Sequence, residues 1–468
     1  VGCTSGMNST YFSSIIQLTD LNDFITPSLE CIKPVEIQRV KGTSLPGEVK
    51  SRTSGKLVYE YEDGTEVKLT KPSISLSDCL ACSGCITSAE SVLITQQSCE
   101  ELLKVLQDKS SKGIIVVVSI CIQSRISLAE EYGLSEKDVD LKISGYLKGL
   151  GVDYVFDLQV AEDICMIELQ KEFLERYNSH GKLPILSSSC PGWICYAEKS
   201  QGPEVLPFIS LTKSPQQIMG TLVKTYFCKQ LQLTPDKIYH VTIMPCFDKK
   251  LEASRQDFRS AVSDCPDVDC VVTTIEIASL IEGNREAFER SGKVPFDPPL
   301  SSTYDLPVTG KGSGSGGYCV QLLNFAARQI LQIQEVTVKS KILRNNDFQE
   351  YFVEHENEVI LRFAVANGFR NIQNVVQKVK KGKCPYQFVE IMACPSGCLN
   401  GGAQIRDKLD PKKRIARLEE RFTQLPKILP EDDTVATELI KHLGPQNNSL
   451  RTNYHTIQPM ETALTIKW

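Results

Sequence analysis

Three features are missing from this sequence of 468 residues, and each absence excludes a class of function. The formal net charge is −5, so the basic excess that marks direct nucleic-acid binding is not there. The longest apolar stretch, Gly113 to Ile122, is too short to span a bilayer. The polar N-terminus lacks the apolar core of a signal peptide. We therefore expect neither nucleic acid nor a membrane as a direct partner.

Histidine is scarce while cysteine is abundant. The five histidines have no metal-binding spacing, whereas the chain contains 18 cysteines. A protein without secretory features keeps its thiols reduced, so metal binding is expected rather than disulfides. The sequence thus indicates a reducing compartment and thiolate ligands.

The stretch Glu390–Gly402 carries Cys394 and Cys398 directly after a mostly apolar run that is typical of a buried strand. Proline and three glycines surround the pair, so a tight turn is expected there. Two distant stretches end in the same way, with an apolar run that leads to a cysteine in or beside a Pro-containing turn. They are 183–193, which contains Cys190, and 238–250, which contains Cys246.

These similar contexts predict one site made of Cys190, Cys246, Cys394 and Cys398. Sites in α/β proteins form at the carboxyl ends of the strands. Four thiolates that meet there are the ligand set of a [4Fe–4S] cluster. The alternative is that some of these residues are buried apolar cysteines, which are common.

A second cysteine group lies near the N-terminus, where Cys79, Cys82 and Cys85 form a Cys-x2-Cys-x2-Cys loop. This spacing matches the first three ligands of a ferredoxin-type cluster run, but Ala89 stands where the fourth cysteine is expected. A zinc site is the alternative, because zinc also accepts four thiolates. Three ligands in so short a loop favour a four-iron cluster.

The fourth ligand of this N-terminal cluster must come from elsewhere in the chain. Cys31 is the preferred candidate, and Cys99 and Cys3 are the alternatives.

From about residue 112 onward, apolar strand patterns alternate with amphipathic helix patterns. This alternation predicts an α/β fold with a doubly wound, mostly parallel sheet. The predicted strands are 114–120, 152–158, 183–186, 238–243, 268–273, 335–343, 359–366 and 386–392. The predicted helices are 97–107, 135–150, 162–177, one starting at Ser214, 318–331, one starting at 371, 411–424 and 432–442.

Other conspicuous residues receive structural interpretations. The glycine run 310–317 does not match a P-loop, so it predicts a flexible loop leading into a helix. Lys249 follows Cys246 closely and is expected to face the cluster site. Cysteines on apolar strands or helix faces are predicted to be core residues. They are Cys121, Cys165, Cys228, Cys270 and Cys319, and Cys195 is treated as structural.

Six motifs together resemble the iron-only hydrogenase-like proteins of cytosolic iron–sulfur protein assembly, the NARFL type. The resemblance covers nearly the whole chain. The motifs are Asp78–Glu90, Ser189–Glu198, Lys213–Gln217, Met244–Glu252, Gly368–Asn374 and Met392–Gly402.

This resemblance implies a two-lobed hydrogenase-like α/β core with mostly parallel sheets and a small ferredoxin-like N-terminal region. The expected division is 1–110 for the N-terminal region, 111–425 for the core and 426–468 for a C-terminal region. It implies two [4Fe–4S] clusters. The ligands by position are Cys31, Cys79, Cys82 and Cys85 for cluster 1, and Cys190, Cys246, Cys394 and Cys398 for cluster 2.

The resemblance also implies a non-enzymatic carrier that passes clusters toward apo-proteins with a targeting complex. The expected partners are a WD40-propeller subunit, a HEAT-repeat subunit and a small adaptor subunit, in the cytoplasm and also the nucleus. Ile466-Lys-Trp468 resembles the terminal signal that this complex reads. An aromatic anchor beside a carboxylate suits such docking, whereas a tail packed against its own fold is the alternative.

Two other functions are weighed against this one. A paralogue resembling this family is associated with nuclear prelamin A as an interaction protein, but both complete cysteine sets here favour the assembly type. The same motifs are similar to those of [FeFe]-hydrogenases. Here Ser189 stands where hydrogenases carry a proton-relaying cysteine, and a hydroxyl is a poor relay at neutral pH. Ala403 also adds a methyl group where a diiron unit needs room.

Overall fold

A computed structural model describes residues 93–259, 264–304, 306–333, 336–407, 410–443 and 448–457, and the backbone of three short strands before residue 70. The chain divides into two compact units, Val1–Ser91 and Val92–Trp468. The division falls earlier than the predicted boundary after residue 110. The helix predicted at 97–107 therefore belongs to the larger unit.

In the smaller unit, β1 (Gly47–Ser51), β2 (Leu57–Tyr61) and β3 (Glu66–Lys68) form an antiparallel sheet in that order. Val58 of the central strand is paired with Lys50 on one side and Lys68 on the other. The residues 56–62 read Lys-Leu-Val-Tyr-Glu-Tyr-Glu, a pattern that predicts a strand, and β2 lies within them.

The larger unit alternates strands and helices, as the sequence predicts. Its strands are β4 (Ile115–Ile120), β5 (Tyr154–Asp157), β6 (Ile185–Ser187), β7 (Ile238–Met244), β8 (Cys270–Thr273), β9 (Lys339–Ile342), β10 (Phe348–His355), β11 (Glu358–Asn367) and β12 (Phe388–Met392). Its α-helices of at least six described residues are α1 (Cys99–Lys112), α2 (Ile122–Tyr132), α3 (Glu136–Gly149), α4 (Gln159–Asn178), α5 (Pro191–Tyr196), α6 (Pro215–Leu222), α7 (Asp248–Ala253), α8 (Thr274–Gly283), α9 (Arg285–Arg290), α10 (Tyr318–Leu331), α11 (Phe369–Lys380), α12 (Pro411–Gln424) and α13 (Thr434–Leu443).

These strands form two sheets, one for each lobe. The first lobe has four strands in the order β5-β4-β7-β8, all parallel. Its central strand β4 is rich in β-branched residues and almost wholly buried, as expected for a parallel strand covered by helices on both faces. The two-lobed α/β architecture is therefore confirmed.

The second lobe has five strands in the order β6-β12-β11-β10-β9. β6, β12 and β11 are parallel, whereas β10 and β9 add an antiparallel edge. β10 is absent from the prediction. The sheet is therefore mixed at one edge and parallel where it carries Cys190 and Cys394.

The five cysteines that the sequence predicts as core residues are all buried, which confirms that prediction. Their exposed fractions are 6% or less. Burial raises the pKa of Cys121 to about 11, because a thiolate is poorly solvated there. No described helix is both long and apolar enough to cross a membrane.

Candidate metal centre

The four predicted ligands of cluster 2 follow the carboxyl ends of three strands. Cys190 comes three residues after β6, Cys246 two residues after β7, and Cys394 two residues after β12. Cys398 lies in a short 3-10 turn, Gly397–Asn400. β6 and β12 are neighbours in one sheet, but β7 belongs to the other. The single doubly wound sheet predicted from the alternation is thus two sheets, and the site draws on both.

Hydrogen bonds join the Cys190 turn to the end of β12. The hydroxyl of Ser188 donates to the carbonyl of Ile391 at 2.5 Å and accepts from the N–H of Cys190 at 3.0 Å. The N–H of Ala393 lies 3.5 Å from the sulfur of Cys190. An N–H directed at sulfur stabilises a thiolate, so this bond suits a metal ligand.

The Cys246 turn is joined to the segment after Cys398 in a similar way. The N–H of Ala403 donates to the carbonyl of Pro245 at 3.0 Å. A Cβ atom placed on Gly401 would lie only 2.4 Å from that carbonyl oxygen. Glycine at 401 is therefore what lets the two turns approach each other.

Replacing Gly401 by alanine should push these two turns apart. We expect a loss of about 1–3 kcal/mol in stability, as for other overpacked sites, and reduced iron in cluster 2. Chemical unfolding and iron counting of anaerobic protein would measure both. Gly402→Ala is the matched control, since nothing lies within 4 Å of a Cβ at that position. Equal behaviour of the two variants would contradict the predicted constraint.

The four thiols act on one another electrostatically. Burial is the largest influence and raises the pKa of all four. The thiols also raise one another: Cys190 and Cys394 act on Cys246, and Cys190 acts on Cys398, whose pKa rises to about 12. Such mutual effects require neighbouring sulfur atoms. Without a bound cation these thiols are protonated at neutral pH, so metal binding must displace their protons.

A cluster and a single metal ion require different spacings of the four thiols. Among the described ranges, no group of three or more His, Cys, Asp or Glu side chains is arranged to hold a metal ion. One zinc ion, with bonds of about 2.3 Å to sulfur, would draw its thiolates within about 4 Å of each other. In a four-iron cluster each thiolate binds a different iron, so the sulfurs stand farther apart. A wider spacing of the four sulfurs is thus the geometry that the predicted [4Fe–4S] cluster requires.

A buried ion pair lies beside these thiols, on α7. The ammonium group of Lys249 lies 2.9 and 3.2 Å from the two carboxylate oxygens of Glu252 and 3.2 Å from the Ser214 hydroxyl. Burial lowers the pKa of Lys249, but Glu252 and then the thiols of Cys246 and Cys398 raise it above its ordinary value. Lys249 is thus close to the candidate ligands, where the sequence predicts it.

Ser214 has a different role from the predicted one. The sequence predicts that its side chain caps α6, and α6 does begin at Pro215. However, the Ser214 hydroxyl makes no capping bond and donates instead to Glu252 at 2.5 Å. The Ser214 oxygen accepts instead from the ammonium group of Lys249, which is a charged and therefore stronger donor than a backbone N–H.

The glycine run that the sequence predicts as a flexible loop is packed against the Cys394–Cys398 turn. The buried hydroxyl of Ser315 accepts from the N–H of Cys398 at 2.9 Å. A Cβ on Gly397 would lie 2.1 Å from that hydroxyl, and one on Gly314 would lie 2.4 Å from Leu399. The run therefore supports the site. The predicted helix after the glycine run is confirmed, since α10 begins at Tyr318.

Most of the other predicted site residues lie outside the part of the chain that the structure describes. Cys31, Cys79, Cys82, Cys85 and Trp468 lie outside the described residues, as does the alternative ligand Cys3. The alternative Cys99 is buried at the start of α1, where burial and then Glu276 and Cys270 raise its pKa. Cys99 is therefore part of the first lobe's core.

Comparison with known proteins gives consistent results. The family model for the C-terminal domain of the iron-only hydrogenase large subunit matches residues 114–402. A probable cytosolic Fe–S cluster assembly factor from Aedes aegypti is 48% identical over 98% of this chain and 99% of its own length. Cytosolic iron–sulfur assembly component 3 from Mus musculus is 46% identical with the same coverage.

Solved structures show the same fold. A variant of the [FeFe]-hydrogenase HydA1 from Chlamydomonas reinhardtii superimposes with a TM-score of 0.63 and 27% identity, covering 73% of this chain and 94% of the hydrogenase. Another [FeFe]-hydrogenase structure, described for inactivation of its H cluster by oxygen, gives a TM-score of 0.64 at 26% identity, with coverage of 76% and 98%.

Proposed function

Because this chain belongs to the family of cytosolic iron–sulfur cluster assembly factors built on the iron-only hydrogenase fold, we propose that it carries two [4Fe–4S] clusters and mediates cluster delivery to apo-proteins. Its role in cytosolic iron–sulfur assembly follows from the family.

The observation that supports the second cluster is the convergence of four thiols from two sheets. Cys190, Cys246, Cys394 and Cys398 influence one another electrostatically, and the turns that carry them are tied together by hydrogen bonds. The buried thiols are protonated when no metal is bound. A cluster would replace these four protons with positively charged irons, which stabilise the thiolates. When bound, the cluster supplies a one-electron redox centre and a cross-link between the lobes.

For the first cluster we propose Cys79, Cys82 and Cys85 with Cys31 as the fourth ligand. The support is the ferredoxin-like spacing and the burial of Cys99 in the first lobe, which makes that alternative less suitable.

Iron and sulfide counting after anaerobic purification, with Mössbauer spectroscopy, tests the cluster proposal. We expect about eight irons and eight sulfides per chain for two four-iron clusters. A content near four would remove one cluster from the proposal. A chain without iron would favour the interaction-protein function over an iron–sulfur carrier.

We also propose that the protein is a carrier or adaptor and does not catalyse hydrogen chemistry. Ser189 offers no thiol for proton relay, and Ala403, which is fully buried, occupies space beside the cluster. The cluster-loaded protein should release no hydrogen from reduced methyl viologen. Hydrogen release above the cluster-free control would overturn this part.

The proposed partners are the three subunits of the targeting complex, a WD40 propeller, a HEAT-repeat protein and a small adaptor. We propose the cytosol as the place of action, while nuclear presence stays a prediction. The Ile466–Trp468 segment is proposed as the docking signal, because an aromatic side chain beside a carboxylate supplies both an anchor and a charge.

Deletion of Trp468 should weaken capture by the purified targeting complex at least tenfold, a loss in keeping with an aromatic hot spot. Iron content should not change. Pull-down with titrated complex would measure the affinity, and Lys467→Ala, which keeps the aromatic anchor, is the control. Unchanged capture after the deletion would remove the docking proposal without affecting the clusters.

A further inference from the structure

Helix α7 begins two residues after Cys246 and carries two adjacent buried lysines with different partners. Lys249 and Lys250 are 5% and 1% exposed. Lys249 is paired with Glu252 across one turn of the helix. Lys250 is paired with Glu276 at 2.6 Å and donates to the carbonyl of Gln97 at 2.6 Å. The two ammonium groups therefore form ion pairs with different carboxylates.

Of these two lysines, Lys249 acts more strongly on Cys246, which it follows by three residues, and on Cys398. Burial is the main influence on the thiols, and beyond it Lys249 lowers the pKa of Cys246 and Cys398. Lys250 acts instead on Cys99 and Cys270, which belong to the first lobe. Lys249 is thus the buried lysine whose field reaches the proposed cluster.

Two other charged residues act on the four thiols. Asp248, after burial, raises the pKa of Cys190, Cys246 and Cys394. Arg406 lowers the pKa of Cys394, but its side chain is exposed, so solvent screens its charge. The charge of the buried Lys249 is therefore less screened than that of Arg406.

The position of Lys249 is fixed by a small polar network. Glu252 binds its ammonium group with both oxygens, while one of these oxygens also accepts from Ser214 and from the amide of Gln216, at 3.3 Å. The same Gln216 amide donates to the backbone carbonyl of Lys249 at 3.2 Å. Glu252 accepts hydrogen bonds from Ser214 and Gln216 as well as from Lys249. The carboxylate should therefore keep its position when Lys249 is replaced.

We propose that Lys249, positioned by Glu252, is the fixed positive charge that sets the reduction potential of the second cluster. This inference rests on the proposed function, since it requires a cluster on Cys190, Cys246, Cys394 and Cys398. One-electron reduction adds a negative charge to the cluster, and a nearby buried cation stabilises the reduced state more than the oxidised state. Cluster potentials depend on such local charge and on exposure.

The test is a mediated redox titration of the full chain with dithionite as the one-electron donor and electron paramagnetic resonance as the readout. The chain also carries Cys82→Ala, so that only the second cluster is titrated. Lys249→Gln should disfavour reduction at least tenfold, which is a fall of about 59 mV for one electron. Glu252→Gln should shift the potential upward, because it removes a negative charge. These opposite signs are a readout that a merely structural role would not produce.

Three further variants make the test decisive. Lys249→Arg keeps the charge and should stay within threefold of the parent. Lys250→Gln, the matched control on the same helix, should do likewise. The double variant Lys249→Gln/Glu252→Gln removes the pair without leaving a buried charge, and its potential should lie between those of the single variants.

The outcomes separate this inference from the proposed function. If the parent chain binds no cluster at this site, the proposed function fails. If the parent binds it but Lys249→Gln shifts the potential less than twofold, or in the same direction as Glu252→Gln, the inference alone is overturned. If Lys249→Gln loses the cluster, retention by Lys249→Arg supports the requirement for charge, and loss from both variants overturns it.

Discussion

Replacement of Cys394 by alanine is expected to remove the second cluster, about four of eight irons, and to destabilise the larger unit. Cys394 follows β12, the strand that lies between β6 and β11. Its turn is joined to the Cys190 turn through Ala393. Loss of one ligand leaves three thiols without a complete site, and the cluster no longer cross-links the two lobes.

The stability loss should be about 3–5 kcal/mol, within the range for loss of a structural metal or of a buried network. Anaerobic thermal unfolding combined with iron counting would measure both effects. Cys384→Ala is the control, because Cys384 is a half-buried cysteine of the same lobe outside both proposed ligand sets. A Cys394→Ala chain that keeps all its iron would show that this residue is not a ligand.

The elements of the larger unit that were predictable from sequence have strong local signals. α10 and α12 have the predicted bounds, Tyr318–Leu331 and Pro411–Gln424, because amphipathic periodicity and terminal residues define them locally. β10 has no such signal, since Phe348–His355 mixes polar and apolar residues in an edge region of the sheet. β10 lies between β11 and the edge strand β9 and is only partly buried, so its hydrophobic pattern is weak.

The assignment of strands to sheets could not be predicted. Apolar strands such as β6 and β7 look alike in sequence, but hydrogen-bond partners far along the chain place them in different sheets. The shared strand-to-turn context nevertheless predicted Cys190, Cys246, Cys394 and Cys398 as one ligand set, and hydrogen bonds join the turns that carry them. Their binding of one cluster stays a prediction.

The supporting residues of the site were harder to predict than the cysteines. Ser214 has a normal capping sequence, yet its hydroxyl donates to Glu252, which depends on a helix that follows 33 residues later. The glycine run around Ser315 looks like a flexible loop, yet its hydroxyl binds the N–H of Cys398. In both cases a long-range partner, absent from any local pattern, decides the role.

Unequal lability of the two clusters is the second large effect that we expect. Apolar residues near the second site in sequence are buried: Trp193, Met392, Leu399 and Ala403 are each 1% exposed or less. Of the proposed ligands, Cys190 is buried, whereas Cys246, Cys394 and Cys398 are partly exposed. We expect this packing to slow the access of chelators and oxygen to the irons. The proposed first cluster has three ligands in a short polar stretch of sequence, Cys79–Cys85, which offers fewer apolar residues to cover it.

A chelator should therefore remove the first cluster at least tenfold faster than the second, because opening a packed core demands a rare local unfolding event. Iron release from the full chain to an excess of chelator should show two phases of similar amplitude. Cys79→Ala should abolish the fast phase and Cys394→Ala the slow one, which assigns each phase to a site. A single phase, or equal rates at both sites, would mean that burial of the second site does not protect its cluster. The two clusters would then be equally suited to transfer, whereas unequal rates favour the first cluster as the one exchanged with partners.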